Sequence, residues 1–324
     1  MSRELIRVGG TPVKVSSVKD LQEGGSQDWR ELVAAFVVAQ DVKESSRSLY
    51  VRTLSQFFKW IEKNKKELST LQREDILSYK DSLQEEGLAA LTISSYIVAV
   101  RKFYEWTETL KVYPNIARGV KVPRKTQLFK KQHLTETKSA ELLEHEESLS
   151  LRDFAIINLI LRTGLRTIEI TRANVEDITF KGERRILKVW GKGRTERDSF
   201  VVLSDKAYNP IKEYLSQERK GAKGREPLFT SQSNRDKGKR LSTRSVSRFC
   251  KSGLVSVGLD GREYTAHSLR HTTAVMILKQ GGALTDVQNV LRHASPNTSQ
   301  IYVESIREEL RLMSAPEFLL DSAF

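Results

Sequence analysis

Residues 113–133, YPNIARGVKVPRKTQLFKKQH, divide the chain into two stretches with different hydrophobic patterns. Two prolines and two turn-like breaks fall there, and proline supplies no amide proton and holds φ fixed, so neither helix nor sheet continues through it. The segment reads as an interdomain linker. Its many basic residues suit a strap across a nucleic-acid backbone and equally a merely soluble connection. At 324 residues the chain has length for two domains.

Ahead of the linker the apolar residues recur at helical spacing. RSLYVRTLSQFFKWIEKN places Tyr50, Leu54, Phe57, Phe58 and Ile61 on one face. LQREDILSYKDSLQEEG stops at Gly87, as helices commonly do. In LTISSYIVAVRKFYEWTETL, Thr92 is a candidate N-cap, and Ile93, Tyr96, Ile97, Val100, Phe103, Tyr104 and Leu110 form one stripe. The reading is a helical module over residues 28–112 behind an irregular extension over 1–27. Its polar positions carry Lys59, Lys63, Arg101 and Lys102, either a solvated face or a phosphate-contacting one.

After the linker the pattern is mixed. RILKVW and SFVVLS alternate like strands around the Gly-bearing GKGRTERD, which predicts a hairpin. Helices are expected over 134–148, 151–163, 206–220, 242–257, 267–280 and 285–292. The fold class is therefore mainly α with a small β-sheet, a helical N-terminal domain preceding a mixed α+β domain over 134–312, then a tail over 313–324.

The net charge of +13 points to a polyanionic partner, because Lys and Arg displace the counterions condensed on phosphates. No run of about 18 apolar residues spans a membrane, and the N-terminus lacks a signal peptide's apolar region. The single cysteine, Cys250, excludes an internal disulfide and shares a helical face with Val246, Phe249, Leu254 and Val257, the place of a buried hydrophobe. A cytoplasmic, nucleoid-associated protein is expected.

Three of the five histidines crowd into HSLRHTTAVMILKQGGALTDVQNVLRHASPNTSQIY, residues 267–302, which ends on Tyr302. His267 and Arg270 share a helix face and can donate to one anion. His271 lies four residues from His267, but Ser268 stands where a zinc protease has its glutamate, so no metal site is read here. In LILRTGLRTIEI an apolar helix ends at Thr163-Gly164, and Arg166 opens the next within reach of Glu169. Lys192 occupies the hairpin tip between Gly191 and Gly193, which permit close approach to another backbone. Singly, each has an ordinary reading as a packed tyrosine, a surface ion pair or a charged turn.

Taken in order, Arg166, Lys192, His267, Arg270, His293 and Tyr302 resemble the residue set of the tyrosine recombinase (phage integrase) family. TGLRTIEI is similar to that family's first arginine box, HSLRHTTAV to its second, and LRHASPNTSQIY to its histidine-to-tyrosine segment. The likeness spans roughly Trp29 to Leu312. One departure is Arg292, where the family usually has glycine.

The resemblance implies a two-domain C-shaped clamp on double-stranded DNA, with a SAM-like core-binding domain and a catalytic domain. It implies that Tyr302 attacks the scissile phosphate, Arg166 and Arg270 clamp it, His293 adds a donor, Lys192 is the general acid, His267 relays the tyrosine proton and Glu169 orients Arg166. His271 is read as structural. Candidate DNA contacts are Lys59, Arg101, Lys102, Lys121, Arg124, Lys125, Lys130, Lys131 and Arg244. No metal or nucleotide cofactor is implied. A specific recombination site, a homotetramer tied by exchange of the C-terminal segment and a Holliday junction are, with an accessory protein left open. A type IB topoisomerase-like relaxing enzyme and a catalytically inert DNA-binding relative are the competing readings.

Overall fold

The computed structural model describes residues 5–8, 10–15, 28–123, 132–144, 149–190, 199–292, 306, 307 and 311. The chain divides into two compact units, Met1–Gln127 and Leu128–Phe324.

The first unit is built on helices α1 (Trp29–Ala39), α2 (Glu44–Lys63), α3 (Arg73–Glu85) and α4 (Ala90–Thr109). Asp28 caps α1 by accepting from the Arg30 amide at 2.9 Å. Val33, Ala34, Ala35, Phe36 and Val37 of α1 are all buried, so this helix is enclosed rather than amphipathic. The predicted stripes of α2 and α4 meet around it. Phe36 stands edge-on to Phe103 at 5.8 Å, and Phe58 edge-on to Phe103 at 5.5 Å, the geometry ring quadrupoles favour. After α3 the chain turns left-handed at Gly87, φ 72°.

Two expectations change here. Residues 1–27 are not wholly irregular: β1 (Leu5–Val8) and β2 (Thr11–Lys14) pair antiparallel about Gly10, and Val8 and Val13 are buried in the same core as α1. Strands this short are held by packing, which leaves little periodicity to read. Thr92 is not the cap of α4. The helix begins at Ala90, and the Thr92 amide already bonds to Ala89 O at 2.8 Å. Alanine, the strongest helix former, extends the helix past the better cap.

The second unit contains α5 (Glu136–Glu144), α6 (Leu151–Thr163), α7 (Thr167–Arg172), a sheet of β3 (Ile178–Lys181), β4 (Arg184–Val189) and β5 (Ser199–Val202), then α8 (Asp205–Glu218), α9 (Thr243–Ser256), α10 (Ala266–Lys279) and α11 (Leu284–Leu291). The sheet is antiparallel in the order β3-β4-β5. The hairpin β4-β5 is as expected. β3 was not read from the sequence, and it joins β4 through a turn with Gly182 at φ 59°. Helix α6 is buried along nearly its whole length, with α8 and α10 packed against it. Cys250 is fully buried, and burial pushes its thiol up to about 12, as its expected packing role requires.

Helix α8 contains Pro210, which has no amide to donate to the Lys206 carbonyl one turn back. Asn158 of α6 supplies the missing donor, Nδ2 to Lys206 O at 2.9 Å. The same Asn158 accepts from Arg162 Nε at 2.8 Å. The defect that proline leaves in α8 thus becomes a tie to the helix that carries the site.

Candidate active site

Helix α6 ends at Gly164, where φ is 61°. A β-carbon there would lie 2.3 Å from Leu291 Cδ2, so only glycine lets the ends of α6 and α11 meet this closely. Both helix ends leave carbonyls without intrahelical donors. Arg270 of α10 satisfies them: its Nη1 donates to Gly164 O, and its Nη2 to Leu291 O at 2.6 Å. The side chain is 2% exposed. A cation is well placed between two helix C-termini, where the backbone dipoles point their negative ends. One turn further on, Thr273 donates to Leu161 O at 2.9 Å, fixing α10 against α6.

Arg166 stands at the N-cap of α7. Glu169 accepts from its backbone amide at 2.7 Å and from its Nη1 at 2.9 Å, the i,i+3 arrangement the sequence spacing predicts. The far end of α7 is also held: Arg240 donates to Thr171 O at 2.8 Å and to Asn174 Oδ1 at 2.6 Å. Glu169 itself is fully buried, while a quarter of the Arg166 side chain is exposed. Arg292 reaches the same carboxylate, Nη2 to Oε2 at 2.8 Å. Burial pushes the Glu169 carboxyl up, but the charge of Arg292, the Arg166 amide, and the charges of Arg166 and Arg270 outweigh it and hold it below the usual carboxylate range. Among the described residues, the guanidiniums of Arg166, Arg292 and Arg270 therefore all act on one ionised carboxylate. Such a cluster, with one guanidinium open to solvent, is equipped to bind a tetrahedral oxyanion.

His267 is exposed on the first turn of α10, one turn before Arg270. His271, on the same helix, is 1% exposed and packs edge-on to His133 with ring centres 5.5 Å apart. Burial, with His133 and His267 nearby, pulls it down to about 3, so it is neutral near pH 7. Lys192, His293 and Tyr302 lie outside the described residues, as do Arg124, Lys125, Lys130 and Lys131. Of the other candidate DNA contacts, Lys59, Arg101, Lys102, Lys121 and Arg244 are all exposed. Arg101 and Lys102 line a cleft of the first unit with Arg118, though Lys102 is paired with Glu105 at 2.7 Å and Arg118 with Glu108 at 2.7 Å.

Sequence reasoning noticed Arg292 only as a departure and did not foresee its bond to Glu169, or the role of Thr273. The partners lie too far apart in the chain for any spacing rule to link them. Gly164 had a signal as a helix stop, but not as a point of contact with Leu291.

The family model described as the phage integrase family matches residues 132–309, more than half of the chain and all of this cluster. The chain belongs to the phage integrase family. A second model, the N-terminal SAM-like domain of phage integrases, matches residues 33–109, which hold α2, α3, α4 and most of α1. Among curated relatives of this integrase-family chain, the tyrosine recombinase XerC of Pelobacter propionicus is 32% identical over 259 residues, 78% of this chain and 82% of that protein. The tyrosine recombinase XerD of Oceanobacillus iheyensis is 27% identical over 285 residues, 85% of this chain and 93% of that one. Solved structures share the fold. The XerH site-specific recombinase in a post-cleavage complex with a palindromic difH substrate aligns with a TM-score of 0.71 and 21% identity, covering 93% of this chain and 89% of that one. A lambda integrase dimer bound to a COC′ core site aligns with a TM-score of 0.61 and 17% identity, covering 85% and 92%. The integrase-family chain is a tyrosine recombinase, an enzyme of DNA strand cleavage and rejoining. Among its described residues, no helix is long and apolar enough to cross a membrane.

Proposed function

We propose that this recombinase cleaves and religates DNA at a specific site through a 3′-phosphotyrosyl intermediate on Tyr302. The observation that carries the assignment of roles is the gathering of the Arg166, Arg270 and Arg292 guanidiniums about Glu169, inside the segment that matches the family. Arg166 and Arg270 bind the non-bridging oxygens of the scissile phosphate, and His293 adds a donor. Guanidinium suits this work because its forked donors match phosphate geometry and stay charged. Glu169 orients Arg166.

The Tyr302 phenol oxygen attacks phosphorus as the bond from phosphorus to the 5′ oxygen breaks. The phenol proton passes to His267, whose ordinary pKa lies near neutrality, and Lys192 protonates the departing 5′ oxygen. One phosphoester bond forms for each one broken. A 5′-hydroxyl from another strand can therefore reverse the step, so strand exchange needs no external energy. Four protomers on two duplexes would pass through a Holliday junction, with residues after Tyr302 exchanged between neighbours in a closed ring. The names of the relatives, XerC and XerD, favour a compact Xer-like enzyme acting in the cytoplasm on chromosomal or mobile-element DNA.

A suicide substrate nicked beside the scissile phosphate tests the reading. Wild-type protein becomes covalently joined to DNA, and Tyr302→Phe does not; wild type that traps nothing overturns it. Recombination of a two-site plasmid, as opposed to relaxation alone, separates it from the topoisomerase-like reading. Neutralising Lys121, Arg124, Lys125, Lys130 and Lys131 together should weaken binding and flatten its salt dependence if this segment tracks the backbone.

A further inference from the structure

Arg292 ends α11 in the left-handed region, φ 55° and ψ 50°. Glycine accepts that backbone freely, whereas a residue with a β-carbon is strained there. Arginine nevertheless holds the position, and only 9% of its side chain is exposed. Its Nη1 donates to Val290 O at 2.6 Å and its Nη2 to Glu169 Oε2 at 2.8 Å. The carbonyl of Leu291, between them, is taken by Arg270. Each of the last three residues of this turn is therefore bonded.

We infer that Arg292 is a positioning residue of the phosphate site: it ties the exit of α11 to the α7 turn through Glu169 and leaves Arg166 incompletely neutralised for the scissile phosphate. With glycine at this place, Arg166 would keep both Glu169 oxygens to itself as hydrogen-bond acceptors among the described residues, and that ion pair would be neutral. With arginine, one carboxylate is divided between two guanidiniums. Arg166, the more exposed of the two, is the one that can offer charge to an incoming anion. Arg292 thus replaces backbone freedom with a buried ion pair between the end of α11 and the α7 turn. The inference rests on the proposed role of Arg166 and Arg270.

The test is single-turnover trapping on the nicked substrate across pH, with thermal unfolding measured on the same preparations, for Arg292→Gly and Arg292→Lys. Glycine relieves the strained backbone, so Arg292→Gly should melt close to wild type. Its trapping rate should fall about tenfold, less than the 10²–10³-fold typical of losing a donor that touches the reacting oxygens. The charged groups facing Glu169 are Arg166 on its own turn, Arg270 on α10 and Arg292 at the end of α11. Removing Arg292 lets the Glu169 carboxyl titrate higher, so the acid limb of the rate profile should move to higher pH. Arg292→Lys should restore much of the rate and most of the acid limb. Arg292→Gly with wild-type rate and an unchanged acid limb overturns the inference. So does a rate loss matched by lost stability that lysine does not repair. Wild type that traps nothing overturns the reading of the site, and this inference with it.

Discussion

Arg270 Nη2 lies 2.6 Å from the carbonyl oxygen of Leu291, and its Nη1 donates to Gly164 O, so one buried guanidinium joins the ends of two helices. Arg270→Met should therefore destabilise the protein before any DNA is present, by about 1–3 kcal/mol for each carbonyl left without a donor. Urea unfolding checks this. Arg270→Lys keeps the charge and loses the fork. It should lower the trapping rate on the order of 10²–10³-fold while costing less stability than Arg270→Met.

Gly164 offers a test of how tightly the helix ends are packed. Gly164→Ala places a β-carbon against Leu291 Cδ2 and strains a backbone at φ 61°. A loss of about 2–4 kcal/mol is expected, combining overpacking with the left-handed conformation. Leu291→Ala should recover the overpacking part but not the backbone part. A double-mutant cycle then reads a coupling of about 1 kcal/mol or more; strictly additive losses would mean the two residues do not meet.

The tie between α8 and α6 predicts a dependence between Pro210 and Asn158. Asn158→Leu strands the Lys206 carbonyl and should cost about 1–3 kcal/mol. In a Pro210→Ala background the restored amide can satisfy that carbonyl within α8, so the same change should cost measurably less. Equal costs in both backgrounds would show that Asn158 is not serving the proline defect.

His271 makes stability depend on pH. Its folded value lies near 3 and its unfolded value near 6.5, so below 6.5 the unfolded chain binds the extra proton. The contribution is complete above pH 6.5 and is lost as pH falls toward 3, at up to about 1.4 kcal/mol per pH unit. Glu169 acts in the same direction, so the informative quantity is a difference. Unfolding of wild type and His271→Gln between pH 4 and 7 should show a shallower slope in the variant.

Much of this protein was legible in one dimension because the relevant physics is local. Helical periodicity placed α2 and α4 and their buried faces, since the residues that share a stripe lie within a few turns of each other. Spacing of three put Arg166 within reach of Glu169, because the first turn of a helix closes that distance whatever the rest of the chain does. Tertiary structure alone decided what the β1-β2 hairpin and the helix termini around Glu169 do. The β1-β2 hairpin exists because its valines find a core. Arg270 meets Gly164 across 106 residues, and Arg292 meets Glu169 across 123. Those meetings follow from how α6, α10 and α11 pack, and they set which guanidiniums share the buried Glu169 carboxylate. Residue types along the chain named the chemistry; packing among distant helices determined how its charge is distributed.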